Sequence, residues 1–307
     1  MNNNPLVSII IATYNRVDAV SKSIESVLNQ SYKELEIIVV DDGSSDNTSK
    51  ILKEKFGEKI VLNILEKNQG ATFARNTGLK MAKGEYSIVW DSDDVLYPNA
   101  IEVLIEKAKE FPDTLTISAP TNVFRNEQKI EFKKIPEGFI SLETMICANM
   151  PKFKLVRMSK TSAHQEKQIL YRGKNLDFMI NNELCSAGGW FHVDQELGDH
   201  FLFSDKNSLT IKRKKLNINS SINRADFISE HLNRFKDVYL KKCPRRYSDY
   251  AYGATLGFIL KGDLKRAREL ASDSWSAYKN IRNFVLWILT KIPFSSPILK
   301  FLYKILS

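Results

Sequence analysis

The eight residues SIVWDSDD, at positions 87–94, join an apolar run directly to three carboxylates. Carboxylates packed this closely repel one another and oppose their own ionisation unless a cation lies among them. One aspartate could simply cap the helix predicted after Pro98, but three aspartates are poorly explained by a capping role. The stretch therefore predicts a buried strand that ends at a divalent-metal site, where the metal would hold a polyphosphate.

Upstream, two further apolar runs also stop at polar turns. Leu6–Ala12 ends at Thr13-Tyr14, and Leu35–Val40 ends at Asp41-Asp42. Continuous β-branched runs of this kind are typical of strands that are buried on both faces of a parallel sheet. Apolar residues at helical spacing predict that amphipathic helices connect the strands, at about residues 17–28, 71–82 and 98–109.

This alternation predicts an α/β fold with a Rossmann-like, mostly parallel central sheet and helices on both faces. Such sheets bind their ligands outside the carboxyl ends of the strands, so the polar turns should converge on one crevice. No Gly-x-Gly-x-x-Gly follows the first strand and no Gly-x4-Gly-Lys-Ser/Thr occurs anywhere. Dinucleotide dehydrogenases and P-loop hydrolases are therefore disfavoured.

The C-terminal third has a different pattern. Beyond about residue 121 the alternation fades into short mixed elements, with a hairpin predicted near Asn126. Helical spacing then dominates, and it predicts helices at about residues 225–241, 247–260 and 264–277. We therefore expect an α/β domain over residues 1–222, followed by a helical region over residues 223–307.

The formal net charge of +9 is concentrated in this helical part. Residues 205–307 contain 21 Lys+Arg and 8 Asp+Glu, a net of +13, whereas residues 1–204 have a net of −4. Residues 281–307 carry two amphipathic stripes, which predict contact with an anionic membrane surface, ordinary helix packing or contact between copies of the chain. Nucleic acid is not predicted as a partner, because no recognisable reader module accompanies the charge.

The sequence predicts neither a membrane span nor an export signal. No apolar run approaches the roughly 18 residues of a spanning helix, and the first run is too short for a signal sequence. The expected location is the cytoplasm, with peripheral attachment to the cytoplasmic face of the cell membrane through residues 281–307. Cys147, Cys185 and Cys243 lack Cys-x-x-Cys spacing, so we expect unbridged thiols and no zinc site.

Four segments resemble, in order and spacing, the family 2 glycosyltransferases of the GT-A fold, of the type that builds bacterial or archaeal surface glycans. They are SIIIATYNR (8–16), ELEIIVVDDGSSDNT (34–48), NQGATFARNTGLKMAKGEY (68–86) and VWDSDD (89–94). The resemblance implies an inverting hexosyl- or N-acetylhexosaminyl-transferase with a nucleotide-sugar donor, expected to be a UDP-sugar, and a divalent metal, Mn²⁺ or Mg²⁺. It also implies a nucleotide-sugar half at residues 1–120 and an acceptor half at residues 121–222.

The resemblance assigns roles to individual residues on the donor side. Those expected to bind the nucleotide sugar are Thr13, Tyr14, Asp42, Asn68, Arg75 and Asp91. Asp93 would bind the metal, with Asp94 behind it. The metal and Arg75 would neutralise the charge that grows on the leaving diphosphate.

The acceptor side departs from the family pattern. In the family a Glu-Asp pair follows a Gly-Gly-aromatic turn, and its Asp removes the proton of the acceptor hydroxyl. Here Gly188-Gly189-Trp190 is followed by Gly198-Asp199, so the Asp is kept and Gly replaces the Glu. Asp199 is the expected general base, Asp194 and Glu196 are the alternatives, and Trp190 is expected beside the acceptor.

Two other function classes stay open at this point. A nucleotidyltransferase also combines an α/β sheet with metal-binding carboxylates, but it should carry a basic triphosphate cradle near the first turn, where only Arg16 stands. A non-catalytic glycan- or lipid-binding protein on the same scaffold would explain the loss of the Glu before Asp199. The residues do not define the donor sugar, the acceptor, which we expect to be a glycan or lipid-linked, or the oligomeric state.

Overall fold

The computed structural model describes residues 4–125, 127–132, 134–147, 155–172, 177–202 and 218–291. The chain forms two compact units. The first comprises the described residues within Met1–Met145, Asn149–Tyr171 and Leu176–Lys212, and the second those within Ile146–Ala148, Arg172–Asn175 and Arg213–Ser307.

Strands and helices alternate through the first unit, and helices make up the second. The strands are β1 (Val7–Thr13), β2 (Leu35–Asp41), β3 (Val61–Ile64), β4 (Tyr86–Asp91), β5 (Val95–Leu96), β6 (Thr116–Pro120), β7 (Asn122–Arg125), β8 (Gln128–Ile130), β9 (Gly138–Phe139), β10 (Leu155–Lys160), β11 (Trp190–His192) and β12 (Gly198–Leu202). The helices are α1 (Val17–Leu28), α2 (Thr48–Phe56), α3 (Ala71–Met81), α4 (Ala100–Glu110), α5 (Leu142–Cys147), α6 (Thr161–Gln165), α7 (Asp177–Gly188), α8 (Ile218–Arg234), α9 (Lys236–Lys242), α10 (Pro244–Lys261), α11 (Leu264–Ala277) and α12 (Ile281–Leu289), with a short 3-10 helix at Gly57–Lys59.

The central sheet of the first unit has eight strands in the order β3-β2-β1-β4-β10-β6-β11-β9. β1 pairs in parallel with β2 and β4, and β2 pairs in parallel with β3. β10 lies antiparallel between β4 and β6, β11 is parallel to β6, and β9 is antiparallel to β11. Six of the eight strands therefore run in one direction, which confirms the predicted mostly parallel sheet.

Helices cover both faces of this sheet, as the sequence predicts. Successive side chains of a strand point to opposite faces. Ile9 and Ile11 of β1 accordingly lie in one apolar cluster together with Ile24 of α1, whereas Ile10 lies in a second cluster together with Leu79 of α3. The continuous apolar run of β1 is explained by this burial on both sides.

A second, four-stranded sheet has the order β5-β12-β7-β8. β7 and β8 form the hairpin predicted near Asn126, although Asn126 itself lies outside the described residues. The short strand β5 begins directly after the aspartate cluster and pairs antiparallel with β12, which places Asp199 opposite Val95. Asp94 and Asp199 are 105 residues apart in the chain. The pairing of β5 with β12 nevertheless brings the aspartate cluster close to the strand that carries Asp199.

The second unit confirms the predicted helical region. α10 ends at Gly262, whose φ of 81° is left-handed and suits glycine, and Asp263 then caps α11 by accepting a hydrogen bond from the Arg266 backbone. Within the described residues no helix is long and apolar enough to cross a membrane. Of the amphipathic segment 281–307, the structure describes the part up to residue 291, so the second stripe lies outside the described residues.

The prediction of three unbridged cysteines is wrong for two of them. Cys147 and Cys243, 96 residues apart in the chain, form a disulfide with their Cα atoms 5.6 Å apart. Both belong to the second unit, and a pairing over this distance leaves no signature in the spacing of the cysteines. Cys185 is free, and burial raises the pKa of its thiol to about 11.

Candidate functional site

Three carboxylates meet at the carboxyl end of β4. One oxygen each from Asp91, Asp93 and Asp94 lies within 4.8 Å of the others, and Asp94 is completely buried. Hard oxygen ligands in this arrangement fit Mg²⁺ or Mn²⁺, and a set of three acids leaves further coordination positions to a phosphate and water. The donor set at the end of β4 therefore suits the metal that the sequence predicts.

Two arginines face these carboxylates. Arg16 Nη1 lies 3.1 Å from Asp93 Oδ2, and Arg75 Nη2 lies 2.6 Å from Asp91 Oδ1. All four side chains are at least three-quarters buried, so the attraction is screened less than between surface charges. Arg16 immediately precedes α1 and Arg75 lies on α3, so the connections that follow β1 and β3 supply the two positive charges.

Asp42 fixes the loop that precedes α3. Its two carboxylate oxygens accept hydrogen bonds from the backbone N–H groups of Gln69 (2.7 Å) and Gly70 (2.8 Å), and its own N–H donates to the Thr13 carbonyl at 2.9 Å. Gly70 has a φ of 94°, a conformation that favours glycine. Asp42 thus joins the ends of β1 and β2 to the loop that contains Asn68.

The remaining predicted nucleotide-binding residues differ in exposure. Tyr14 is 36% exposed and Asn68 is exposed, so both side chains are accessible to a ligand. Thr13 is buried, and among the described residues its hydroxyl has no hydrogen-bond partner. Asp41, next to Asp42, is fully buried and accepts hydrogen bonds from Ser44 and Ser49, so it shapes the loop before α2.

Asp199 is held by two neutral donors. The Tyr97 hydroxyl donates to Asp199 Oδ1 at 2.6 Å, and Asn122 Nδ2 donates to the Tyr97 oxygen at 2.5 Å and to Asp199 Oδ1 at 3.3 Å. Burial, reinforced by the hydrogen bond to Asp199 and its charge, raises the pKa of Tyr97 to about 12. Tyr97 therefore stays protonated at neutral pH and remains a donor, which orients the carboxylate of Asp199.

His200, the residue after Asp199 in the chain, contacts the aspartate cluster. Its Nδ1 lies 2.7 Å from Oδ1 of the buried Asp94. This contact gives His200 a structural role. Together with the pairing of β5 and β12, it fixes the strand of Asp199 beside the turn that carries the carboxylates.

Gly198, which precedes the predicted base Asp199, occupies a crowded position. A Cβ atom added to Gly198 would lie 2.5 Å from the Val95 carbonyl oxygen and 3.4 Å from the Trp90 ring. A glutamate cannot occupy this position unless β5 moves away from β12. The close approach of these two strands thus accounts for a glycine at position 198.

A pocket is lined by Asn122, which contacts Asp199, and by the predicted Asp194 and Glu196. Lys129, Lys134 and His192 also line it. Lys134 Nζ is 3.8 Å from Asp194 Oδ1, and burial lowers the pKa of His192 to about 4, so His192 is neutral. Asn122 thus links the lining of this pocket to Asp199.

The expectation that Trp190 contacts an acceptor does not fit its position. Its side chain is completely buried, and its Nε1–H donates to the Ser118 hydroxyl at 2.6 Å. The Gly-Gly turn before it directs the ring into the core, and the sequence pattern does not reveal that direction. Trp190 of β11 thus packs in the core and bonds to Ser118 of β6.

The sequence did not indicate Tyr97 or Asn122. Tyr97 stands three residues after Asp94, but nothing in its neighbours distinguishes it from an ordinary core tyrosine. Both residues reach Asp199 through the second sheet, where β12 pairs with β5 and β7. The positions of these two residues beside Asp199 follow from that strand pairing, which the local sequence does not reveal.

Comparisons with known proteins agree with this fold. A family model described as "Glycosyl transferase family 2" matches residues 8–171, which is 164 of the 307 residues. A hyaluronan synthase of Pasteurella multocida is 28% identical over 257 residues, covering 78% of this chain and 25% of that protein. A chondroitin synthase of Escherichia coli is 30% identical over 239 residues, covering 75% of this chain and 33% of that protein. The chain thus spans a quarter to a third of the length of these relatives.

A solved structure shares the fold over most of the chain. The crystal structure of S. aureus TarS 1-349 in complex with UDP-GlcNAc aligns with a TM-score of 0.60 at 15% sequence identity, and the alignment covers 89% of each chain. The same fragment in complex with UDP aligns with a TM-score of 0.57. At this identity the similarity establishes the fold.

Proposed function

Because the chain belongs to glycosyl transferase family 2, we propose that it is an inverting glycosyltransferase that uses a nucleotide-sugar donor. The sugar would pass to a hydroxyl group of a glycan or lipid-linked acceptor. The observation that carries the proposal is the placement of Asp199 on a strand paired with the segment that directly follows the aspartate cluster. The proposed donor-side metal site and the proposed acceptor-side base would thereby be adjacent.

On the donor side, Asp93 would bind the divalent metal, and Asp91 would face the ribose. The bound metal would supply positive charge to the leaving diphosphate. Tyr14 and Asn68 offer accessible side chains to the nucleotide, and the Asp42 carboxylate keeps the Asn68 loop in place. A uridine diphosphate sugar is the proposed donor, supported by the UDP and UDP-GlcNAc that the TarS structures contain.

On the acceptor side, Asp199 would act as the general base. The acceptor hydroxyl oxygen forms a bond to the anomeric carbon, the bond from that carbon to the diphosphate oxygen breaks, and the hydroxyl proton passes to Asp199. Tyr97 and Asn122 both donate to Oδ1, which leaves Oδ2 as the proposed proton acceptor. Asp194 and Glu196 line the neighbouring pocket and would contact the acceptor.

We also propose that the protein works in the cytoplasm, on the inner face of the membrane. The support is the net charge of +13 in residues 205–307 and the apolar side chains that α12 exposes, led by Ile281 at 77%. A reducing compartment would open the Cys147–Cys243 disulfide. Retention of the protein by anionic vesicles, compared with a variant truncated after residue 280, tests the membrane contact, and equal retention would contradict it.

The function is tested by thermal unfolding in the presence of a panel of nucleotide sugars, with and without Mn²⁺. We expect at least one UDP-sugar to raise the unfolding temperature only when Mn²⁺ is present, and to be turned over with release of UDP. Asp93→Ala should abolish both effects, while Asp113→Ala, which removes an exposed carboxylate of the same unit, should keep them. Release of pyrophosphate from a nucleoside triphosphate would instead identify a nucleotidyltransferase, and metal-independent binding without turnover would contradict the transferase.

A further inference from the structure

Asp93, the proposed metal ligand, contacts the guanidinium group of Arg16. Arg16 Nη1 lies 3.1 Å from Asp93 Oδ2 and 3.4 Å from Ser92 Oγ. The Arg16 and Asp93 side chains are only 13% and 12% exposed. The guanidinium therefore occupies space next to the carboxylate oxygen that a metal ion would need.

The backbone next to Arg16 is held by hydrogen bonds between Asn15 and the loop that follows β2. Asn15 adopts a left-handed φ of 51°, its N–H donates to the Ser44 hydroxyl at 2.9 Å, and its Oδ1 accepts from the Ser45 N–H at 2.8 Å. These contacts fix the start of the Arg16 side chain near the loop that follows β2. The long side chain beyond that point can still change rotamer, so the guanidinium can change partners while the backbone stays in place.

The charges of the site favour such an exchange. Asp91, Asp93 and Asp94 bring three carboxylates, and Arg16 and Arg75 bring two positive charges, which leaves a formal −1. A divalent ion would change this sum to +1, which suits an anionic diphosphate. A dication and a guanidinium on the same carboxylate repel each other, so the metal should displace the guanidinium.

We propose that Arg16 occupies the cation position on Asp93 until the metal binds, and that the displaced guanidinium then binds the diphosphate of the donor. Arg16 is thus a positioning residue with two partners, one for each state of the site. The second half of this inference rests on the proposed function, whereas the first half concerns the metal alone.

The first half is tested with Mn²⁺ as the only ligand. Mn²⁺ binding to the nucleotide-free full chain is measured by calorimetry for wild type, Arg16→Gln, Arg16→Lys and Lys55→Gln. We expect Arg16→Gln to bind Mn²⁺ at least fivefold more tightly than wild type, because the competing charge is gone. Arg16→Lys should stay closer to wild type, and Lys55→Gln should not change, because Lys55 pairs with the partly exposed Glu25.

The second half is tested with UDP at saturating Mn²⁺. Arg16→Gln should bind UDP at least fivefold more weakly than wild type, so one substitution changes the two affinities in opposite directions. An arginine that only stabilises the fold would weaken both, and that result would overturn the proposal. Unchanged or weaker Mn²⁺ binding overturns the competition, and unchanged UDP binding overturns the transfer to the diphosphate.

These readouts also separate the inference from the proposed function. If wild type binds Mn²⁺ but neither UDP nor any nucleotide sugar, the proposed function and the second half fail, while the Mn²⁺ comparison still decides the competition. If wild type turns over a nucleotide sugar and Arg16→Gln shows no gain in Mn²⁺ affinity, the competition fails and the function stands.

Discussion

Replacing Tyr97 by phenylalanine should slow turnover while leaving donor binding intact. The substitution removes the hydroxyl that donates to Asp199 Oδ1 at 2.6 Å and keeps the ring that fills the half-buried position. A hydrogen bond to a charged group contributes about 1.5–3 kcal/mol. If this bond holds the base in its reactive orientation, the rate should fall about 10- to 150-fold.

The assay is the initial rate of UDP release from the best nucleotide sugar of the panel, with water as the acceptor, alongside the dissociation constant of UDP with Mn²⁺. Tyr32→Phe is the matched control, because the Tyr32 hydroxyl donates to the Pro5 carbonyl at 2.5 Å and burial also raises its pKa to about 12. Tyr32→Phe should change stability without slowing turnover. A Tyr97→Phe rate within twofold of wild type would refute the role assigned to this hydroxyl.

Three further predictions concern stability and covalent structure. Gly198→Ala should lower the unfolding free energy by about 1–3 kcal/mol in denaturant titrations, because the new Cβ would lie 2.5 Å from the Val95 carbonyl oxygen; unchanged stability would contradict the tight strand contact. Burial lowers the pKa of His192 from 6.5 to about 4. The neutral imidazole therefore contributes fully to the unfolding free energy above pH 6.5, and this contribution is lost as the pH falls towards 4. The loss of stability over this range should be smaller in His192→Gln, by up to about 3 kcal/mol, and equal pH dependence would contradict a buried neutral imidazole. Thiol titration of the denatured chain, after air oxidation of the folded protein, should find one thiol before reduction and three after it, and three thiols before reduction would contradict the Cys147–Cys243 disulfide.

Much of the first unit follows from local sequence. The apolar run that ends at Asp91 and the run that ends at Asp41-Asp42 predict strands with polar carboxyl ends, and the structure has β4 and β2 there. Period and composition suffice for these elements, because each strand is buried on both faces and each helix has one apolar side. The carboxylate cluster is also predictable from local sequence, because its three members lie within four consecutive residues.

The surroundings of Asp199 could not be predicted in this way. Tyr97, Asn122 and Asp199 meet because β5, β7 and β12 pair, and these strands have only two, four and five residues. Strands this short carry little periodic signal, so the register that brings the three side chains together is a property of the folded sheet.

The surroundings of Trp190 and of the cysteines also differ from what the sequence predicts, for a common reason. The resemblance implies that Trp190 lies beside the acceptor, yet the backbone at the glycine turn directs its ring into the core. Cys147 and Cys243 come from segments whose proximity depends on how the second unit folds. In both cases the deciding factor is a long-range contact, and spacing along the chain does not encode it.

Asp199 is proposed to remove the acceptor proton beside a metal-bound nucleotide sugar, and Asp199→Asn separates this role from donor binding. The variant keeps the shape of the side chain and removes its basicity, so it should bind UDP and Mn²⁺ as wild type does. Its turnover of the nucleotide sugar should fall by about 10²- to 10⁴-fold, whereas Asp194→Asn and Glu196→Gln should keep most of theirs. Wild-type turnover in Asp199→Asn, or a comparable loss in Asp194→Asn or Glu196→Gln alone, would contradict the account.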